Sequence, residues 1–165
     1  MSASNSAPNL SGSAQRVQAA IEAQGFSFHV VELPDSTRTA RDAASAIGCS
    51  VGQIAKSLVF RGTDTDRALL AIASGPNRVD EDALRAHAGE PVEQATPDFV
   101  RARTGFAIGG VPPVGHDTAL PTWIDEDLLA YDAVWAAAGT PHAVFELDPS
   151  TLPALTDGTV AAITE

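Results

Sequence analysis

The sequence predicts a single mixed α/β domain, and three observations lead to this fold class. A chain of 165 residues fits one domain. Its composition, with 44% hydrophobic and 19% charged residues, is that of a globular protein with a sizeable core. Helix-like and strand-like apolar spacings are interspersed along the chain, which predicts a central, mostly antiparallel sheet with short helices around it.

Apolar spacing, caps and turn residues place the predicted elements in chain order. Helices are predicted over residues 13–24, 39–47, 80–88 and 96–103, and in DPSTLPAL. Strands are predicted over residues 26–33, 53–61, 67–74, 91–94, 121–125, 131–136 and 142–147, and in TVAAI. The two strands on either side of GTDTD form a hairpin, whereas GFAIGGVPPVG contains too much Gly and Pro for regular structure.

The N-terminal segment and the cysteine count bound the organisation of the chain. Residues 1–12 are rich in Ser, Asn, Gly and Pro, so we expect a disordered leader before a domain over residues 13–165. This leader lacks the basic and apolar regions of a secretory signal, and no apolar run is long enough for a membrane span. Cys49 is the single cysteine, which excludes an intrachain disulfide and a Cys-rich zinc site. We expect a cytoplasmic protein without a metal or other cofactor.

Charge is distributed unevenly along the chain, whose formal net charge is −11. All ten basic residues lie in residues 1–103, whereas residues 104–165 carry nine acids and no Lys or Arg. This balance argues against broad, non-specific binding of nucleic acid, which depends on neutralising phosphates. Contacts with an anionic ligand must therefore come from the first 103 residues or from backbone amides.

Lys56, the only lysine, lies in the apolar segment IAKSLVF. If this segment is a strand, Lys56 shares one face with Ile54, Leu58 and Phe60. A lysine on such a face is unfavourable unless it has a partner or lines a cleft. The alternative is an edge lysine whose aliphatic stem covers apolar surface.

The segment GFAIGGVPPVGH is the second candidate site. Adjacent glycines at Gly109 and Gly110 allow close approach of the backbone, and the prolines stiffen the loop. The amides of Gly109, Gly110 and Val111 could then face an anion or a carbonyl oxygen. A structural turn is the alternative, and His116 at the end of the loop is either a substrate ligand or a solvated side chain.

The turn AGTPH is the third candidate, because Gly139 and Pro141 would place His142 at the start of a strand. His142 there could bind a substrate or act as a general base, or it could simply be solvated. No nucleophile elbow or metal-ligand spacing occurs. The acidic run that starts at Asp125 suggests a solvated turn.

In their order and spacing, the IAKSLVF strand, the GGVPPVGH loop and the GTPH turn resemble the YbaK/EbsC family of aminoacyl-tRNA deacylases. This family is related to the editing domain of bacterial prolyl-tRNA synthetase. The resemblance covers about residues 14–164. It implies a mixed α/β fold with a barrel-like, mostly antiparallel sheet, and a free-standing enzyme that hydrolyses the ester of a mischarged tRNA without a metal.

The resemblance also implies roles for the candidate residues. Lys56 would hold the terminal phosphate or ribose, and the amides of Gly109 and Gly110 would stabilise the developing oxyanion. Gly139 and His142 would border the aminoacyl pocket. The partner would be the acceptor end of an aminoacyl-tRNA, with an aminoacyl-tRNA synthetase or elongation factor adding affinity. Arginines are expected near the phosphates, namely Arg38, Arg41, Arg61 and Arg78.

The amino acid removed stays open among Ala, Ser, Thr and Cys, although the loop departs from that of the Cys-specific branch. Two other functions remain as alternatives. One is a non-catalytic module of the same fold that binds a small molecule or nucleotide, which the net charge favours. The other is an enzyme that forms a Schiff base on Lys56.

Overall fold

Short helices begin and end at capping residues in the computed structural model, which describes residues 10–165. Thr39 caps the N-terminus of one helix, and Gly48 closes it in the left-handed conformation. Thr96 and Gly105 do the same for another. The helices are α1 (Gly12–Ala23), α2 (Ala40–Ile47), α3 (Glu81–Ala88), α4 (Pro97–Thr104) and α5 (Leu152–Thr156).

Residues 1–9 of the predicted leader over residues 1–12 lie outside the described part of the chain. The last three residues of that predicted leader, from Leu10 to Gly12, are described. Leu10 is buried in the main core, and Ser11 caps α1 by accepting from the Ala14 amide. The apolar side chain and the cap both stabilise the first turn of the helix.

A mixed sheet forms the centre of the described domain. Its eight strands are β1 (Val30–Glu32), β2 (Ile54–Gly62), β3 (Ala68–Ser74), β4 (Val92–Gln94), β5 (Thr122–Asp125), β6 (Val134–Ala137), β7 (Ala143–Leu147) and β8 (Thr159–Ala161). Seven of them follow the order β1-β7-β6-β2-β3-β5-β8, and β4 pairs with β2. Four pairings are antiparallel and three are parallel, which confirms the mixed α/β class. Among the described strands, the pairings form one path with β1 and β8 at its ends.

Helices pack on both faces of the sheet. The main core includes Val17 of α1 and Val100 of α4 with Ile72 and Phe145 of the sheet. A second cluster on the other face packs Leu84 of α3 against the same sheet. Because β3 carries seven consecutive buried residues, it is the centre of the hydrophobic core. None of the helices in the described range is long and apolar enough to cross a membrane.

Candidate active site

A gap between strands along one edge of β2 forms the mouth of a cavity. On this edge β2 pairs with β6 at Ile54 and Ala55, and with β4 only from Phe60 onward. Within the described chain, the intervening residues 56–59 pair with β3 on one side and have no strand partner on the other. On that unpaired side, the Ala95 amide donates a hydrogen bond to the Val59 oxygen. A cavity of about 350 Å³ opens here, and all residues from 54 to 60 line it.

Lys56 lies in this cavity and is half-buried. Its Nζ donates to the backbone oxygen of Gly75 at 2.9 Å, the one acceptor it has among the described residues. An ammonium donates up to three hydrogen bonds, so two remain for a substrate. Burial lowers the pKa of Lys56, and the negative charge of Asp125 opposes that shift. As alternation predicts, Leu58 and Phe60 on its face of β2 pack in the second cluster.

Asp125 fixes the turn that carries the Lys56 acceptor. Only 1% of Asp125 is exposed. Its Oδ2 accepts from the Ser74 amide at 3.0 Å and from Asn77 Nδ2 at 2.9 Å. These two donors flank Gly75, so the carboxylate holds both sides of the turn whose oxygen binds Lys56. The expectation of a solvated acidic turn is therefore wrong at Asp125, because the end of β5 directs this side chain inward.

The glycine loop forms another wall of the cavity, and its three predicted residues differ in position. Gly109 and Val111 line the cavity, whereas Gly110 does not. The Gly110 amide donates to the Ala107 oxygen at 3.2 Å. The amides of Gly109 and Val111 have no acceptor within residues 10–165. Gly109 has φ of +95°, a conformation that favours glycine.

Gly110 instead joins the loop to the turn at residues 139–142. A Cβ at Gly110 would lie 2.8 Å from backbone atoms of Thr140, which leaves no room for a side chain. The Gly110 oxygen accepts from the Gly139 amide at 2.8 Å. Gly139 therefore supports the loop from behind and does not itself line the cavity.

His142 is exposed and lies beside the cavity wall without lining it. Its Nδ1 is 3.1 Å from the Asp35 oxygen, and its backbone oxygen accepts from the Leu33 amide at 2.8 Å. The neighbouring Pro141 oxygen accepts from the Thr37 amide at 2.6 Å. These contacts hold the segment between β1 and α2 in place.

His116 is also not a lining residue. Its Nε2 lies 2.7 Å from the Pro112 oxygen, and its ring meets Phe106 edge-on. Burial lowers the pKa of His116, which favours the neutral imidazole. In this structure the His116 side chain stabilises the end of the glycine loop through these two contacts.

Arginines separate into paired and unpaired groups. Arg61 forms ion pairs with Asp66 and Glu93, and Arg78 lies 3.5 Å from Glu165. Arg38 lines the cavity, and its aliphatic stem lies against Gly109. In the described part of the chain, Arg38 has no carboxylate partner, so its charge is available at the cavity mouth.

Sequence reasoning did not select two hydroxyl residues of the cavity, Thr37 and Ser57. Their side-chain oxygens are buried, and neither has a hydrogen-bond partner within the described residues. Ser57 is adjacent to Lys56, which was the available signal. The lack of a partner depends on contacts across the cavity, and no local pattern encodes it.

Sequence comparisons identify relatives with the same architecture. The sequence model for the aminoacyl-tRNA editing domain matches residues 34–155. YwhH of Bacillus subtilis (strain 168), which is uncharacterised, is 36% identical over 125 residues, covering 74% of this chain and 78% of YwhH. EbsC of Enterococcus faecalis (strain ATCC 700802 / V583), named as a candidate Cys-tRNA(Pro)/Cys-tRNA(Cys) deacylase, is 32% identical over 127 residues, covering 76% of this chain and 77% of EbsC.

Solved structures agree with this assignment. A candidate trans-editing enzyme for prolyl tRNA synthetase is 56% identical, with a TM-score of 0.89, and the match covers 95% of this chain and 99% of that one. The hypothetical protein APE2540 is 29% identical with a TM-score of 0.84, over 91% of this chain and 99% of that one. The chain therefore belongs to the aminoacyl-tRNA editing domain family, a family of aminoacyl-tRNA deacylases with the YbaK-like fold.

Proposed function

We propose that this protein acts in trans to hydrolyse the ester between a small amino acid, such as Ala, Ser, Thr or Cys, and the 3′-terminal adenosine of a mischarged tRNA. The observation that carries the proposal is the Lys56 ammonium, which lies in the cavity with two N–H groups available. The name of the 56% identical structure also supports action in trans. Such a function places the protein in the cytoplasm.

The chemistry requires stabilisation of negative charge and access of a nucleophile to the ester carbonyl. Water attacks the carbonyl carbon, with the ribose 2′-hydroxyl as a candidate to orient it, and collapse of the intermediate breaks the ester bond as the departing 3′-oxygen takes up a proton. Overall, water is consumed and the amino acid and tRNA are released. We assign the oxyanion to donors in the cavity wall, with the Gly109 amide as the first candidate.

Lys56 and Arg38 supply the positive charge near the substrate. Lys56 would orient the terminal phosphate or ribose, and Arg38 would contact a phosphate at the mouth of the cavity. This footprint is small, in keeping with the net charge of −11. An aminoacyl-tRNA synthetase or an elongation factor would add affinity by presenting the acceptor end.

The test is a deacylation assay with Lys56→Ala. One tRNA carrying Ala, Ser, Thr or Cys in turn is incubated with the purified full chain. Misplacement of a bound substrate by about 1 Å can cost on the order of 10²-fold in rate, and we expect at least that loss when Lys56→Ala removes the cation that orients the terminal ribose and phosphate. Lys56→Arg serves as the matched control because it keeps the charge but changes its geometry.

Two results would contradict the proposal. Full activity of folded Lys56→Ala on the preferred ester would remove Lys56 from the mechanism. Hydrolysis of no ester by a folded sample, together with tight binding of a free nucleotide or amino acid, would favour the non-catalytic binding module.

A further inference from the structure

The cavity extends through the gap in the sheet, and its two sides differ in exposure. Side chains alternate between the two faces of a strand. Val59 of β2 and Ala136 of β6 belong to the main core and are buried. On the opposite face, Lys56, Leu58 and Trp135 line the same cavity, and all three residues are partly exposed. The mouth of the cavity therefore lies on the Lys56 face of the sheet, and a ligand enters from there.

Trp135 places an aromatic side chain at this mouth. Its partner in the parallel pairing is Ile54, so its side chain shares a face with Ile54 and with Lys56, two residues further along β2. The main chain of Trp135 is paired with β2 on one side and with β7 on the other. The exposed part of this residue therefore belongs mainly to the indole, while another part packs against a third buried cluster that includes Ala43 of α2.

The Lys56 ammonium and the indole flank β2 at the same end of the cavity. The oxygen that accepts from Lys56 Nζ belongs to Gly75, which directly follows β3, and β3 ends opposite Ala55. Trp135 pairs on the other side of β2, at Ile54. The backbones of Gly75 and Trp135 are thus two strand spacings apart, about 10 Å. A nucleoside can bridge this distance, with its ribose near the ammonium and its base on the indole.

The mouth combines apolar surface with positive charge. Ile108 of the glycine loop also lines the cavity, and it is exposed. Arg38 lines the cavity as well and carries a charge without a carboxylate partner in residues 10–165. An unpaired nucleotide has both a flat base that stacks on aromatic surface and an anionic phosphate, so it matches both features. A free amino acid or an inorganic anion would use the charge and leave the indole uncovered.

We infer that Trp135 is a substrate-binding residue on which the 3′-terminal adenine of the tRNA stacks. The ribose then reaches Lys56, and the aminoacyl group points toward the buried side of the cavity at Val59 and Ala136. The inference rests on the proposed function. Aromatic side chains commonly hold unpaired bases in this way. Because stacking depends little on charge, it suits a protein with a net charge of −11, which gains little from attraction to phosphates.

The first measurement compares two small substrates with the full chain, a 3′-aminoacyl ester of adenosine and the same ester of methyl riboside, which lacks the base. The amino acid is the one that the deacylation assay prefers. We expect wild type to favour the adenosine ester in kcat/KM by about 5- to 150-fold, the effect of one stacked base. Trp135→Leu should remove this preference, whereas Trp135→Phe should keep part of it. Trp123→Phe is the matched control, because Trp123 lies beside His87 and outside the cavity.

The second measurement detects the contact without turnover. Trp123→Phe leaves Trp135 as the single tryptophan of the chain. AMP should quench its fluorescence, because a base stacked on the indole is in direct contact with it, and ribose 5-phosphate should not. Trp135→Phe, which retains only Trp123, should show no quenching by AMP. A tryptophan with a purely structural role would give no response in either variant.

These results separate the inference from the proposed function. Equal kcat/KM of wild type on the two esters, or a folded Trp135→Leu that keeps the preference for adenosine, overturns the stacking assignment and leaves the deacylase intact. Quenching by AMP without Lys56-dependent hydrolysis of any ester retains the adenine site and overturns the deacylase. Thermal melting checks the fold of each variant. If Trp135→Leu does not fold or the small esters are not cleaved, absence of quenching by AMP overturns the inference.

Discussion

Two opposing effects at the cavity set the pKa of Lys56. Burial disfavours the ammonium, and the negative charge of Asp125 favours it. Asp125 also holds the turn around Gly75 through the Ser74 amide and Asn77. We therefore regard Asp125 as a positioning residue that acts through Lys56, by geometry and by charge.

Asp125→Asn removes this charge with little change in size. The pKa of Lys56 should then fall further, so the ammonium is lost at lower pH. We expect the alkaline limb of the kcat/KM profile to move to lower pH, after subtraction of uncatalysed ester hydrolysis. Glu126→Gln, an exposed change directly after Asp125, is the control. An alkaline limb that stays in place in Asp125→Asn would show that the carboxylate does not act through Lys56.

At the scale of elements, the contact between the glycine loop and the turn at residues 139–142 sets the shape of one cavity wall. Gly110 has no room for a side chain beside Thr140, and its oxygen accepts from the Gly139 amide. The loop and the turn are distant in sequence, and their close approach requires a residue without a side chain at position 110. Movement of this contact would displace Gly109 from the cavity.

Gly110→Ala should push the loop away from Thr140. We expect a loss of about 1–3 kcal/mol in unfolding free energy, as for overpacking of a close contact. Deacylation should fall as well, because Gly109 moves with the loop. Urea denaturation and the deacylation assay measure the two effects. Gly12→Ala is the control, since its Cβ would meet nothing within 4 Å. Stability and activity equal to wild type would contradict a structural role for Gly110.

Local elements were predictable from the sequence, whereas their long-range arrangement was not. Caps such as Thr39 and Gly48 act within one or two turns, so the helix bounds follow from neighbouring residues. The hairpin of β2 and β3 is likewise local. The parallel pairing of Ile54 with Trp135 joins distant segments, and no local pattern encodes it.

The same distinction applies to the site. Lys56, Gly109 and Val111 belong to recognisable motifs, and all three line the cavity. His116 contacts Pro112 and Phe106 of its own loop and does not line the cavity. The motif alone does not show in which direction this side chain packs. The predicted roles of the site residues in catalysis or substrate binding stay predictions until the variants are measured.

At the scale of the whole molecule, the net charge of −11 opposes the approach of a polyanion. Arg61 and Arg103 are occupied by a shared partner, Asp66, and the two guanidinium groups lower its pKa. They are thereby less available to phosphates than the sequence suggests. Arg38 is the cation at the cavity mouth that keeps its charge free within the described residues.

Arg38→Ala should therefore weaken tRNA binding through the loss of one phosphate contact. We expect the slope of log K against log salt to shrink in magnitude by about 0.7, the value for one contact on a single strand. Titration at several salt concentrations measures this slope. Arg85→Ala on α3 is the matched control, because it removes the same charge from an exposed position outside the cavity. An unchanged slope for Arg38→Ala would exclude Arg38 from phosphate binding.

The interrupted edge of β2 has a consequence for solubility. Unpaired strand edges invite strands from other molecules and promote aggregation. Here β6 and β4 flank the opening on both sides, which leaves only residues 56–59 between them. An incoming strand would need a longer run of free backbone to add stably. The opening can thus leave main-chain polar groups unpaired in the middle of the sheet without itself serving as an edge to which another strand adds.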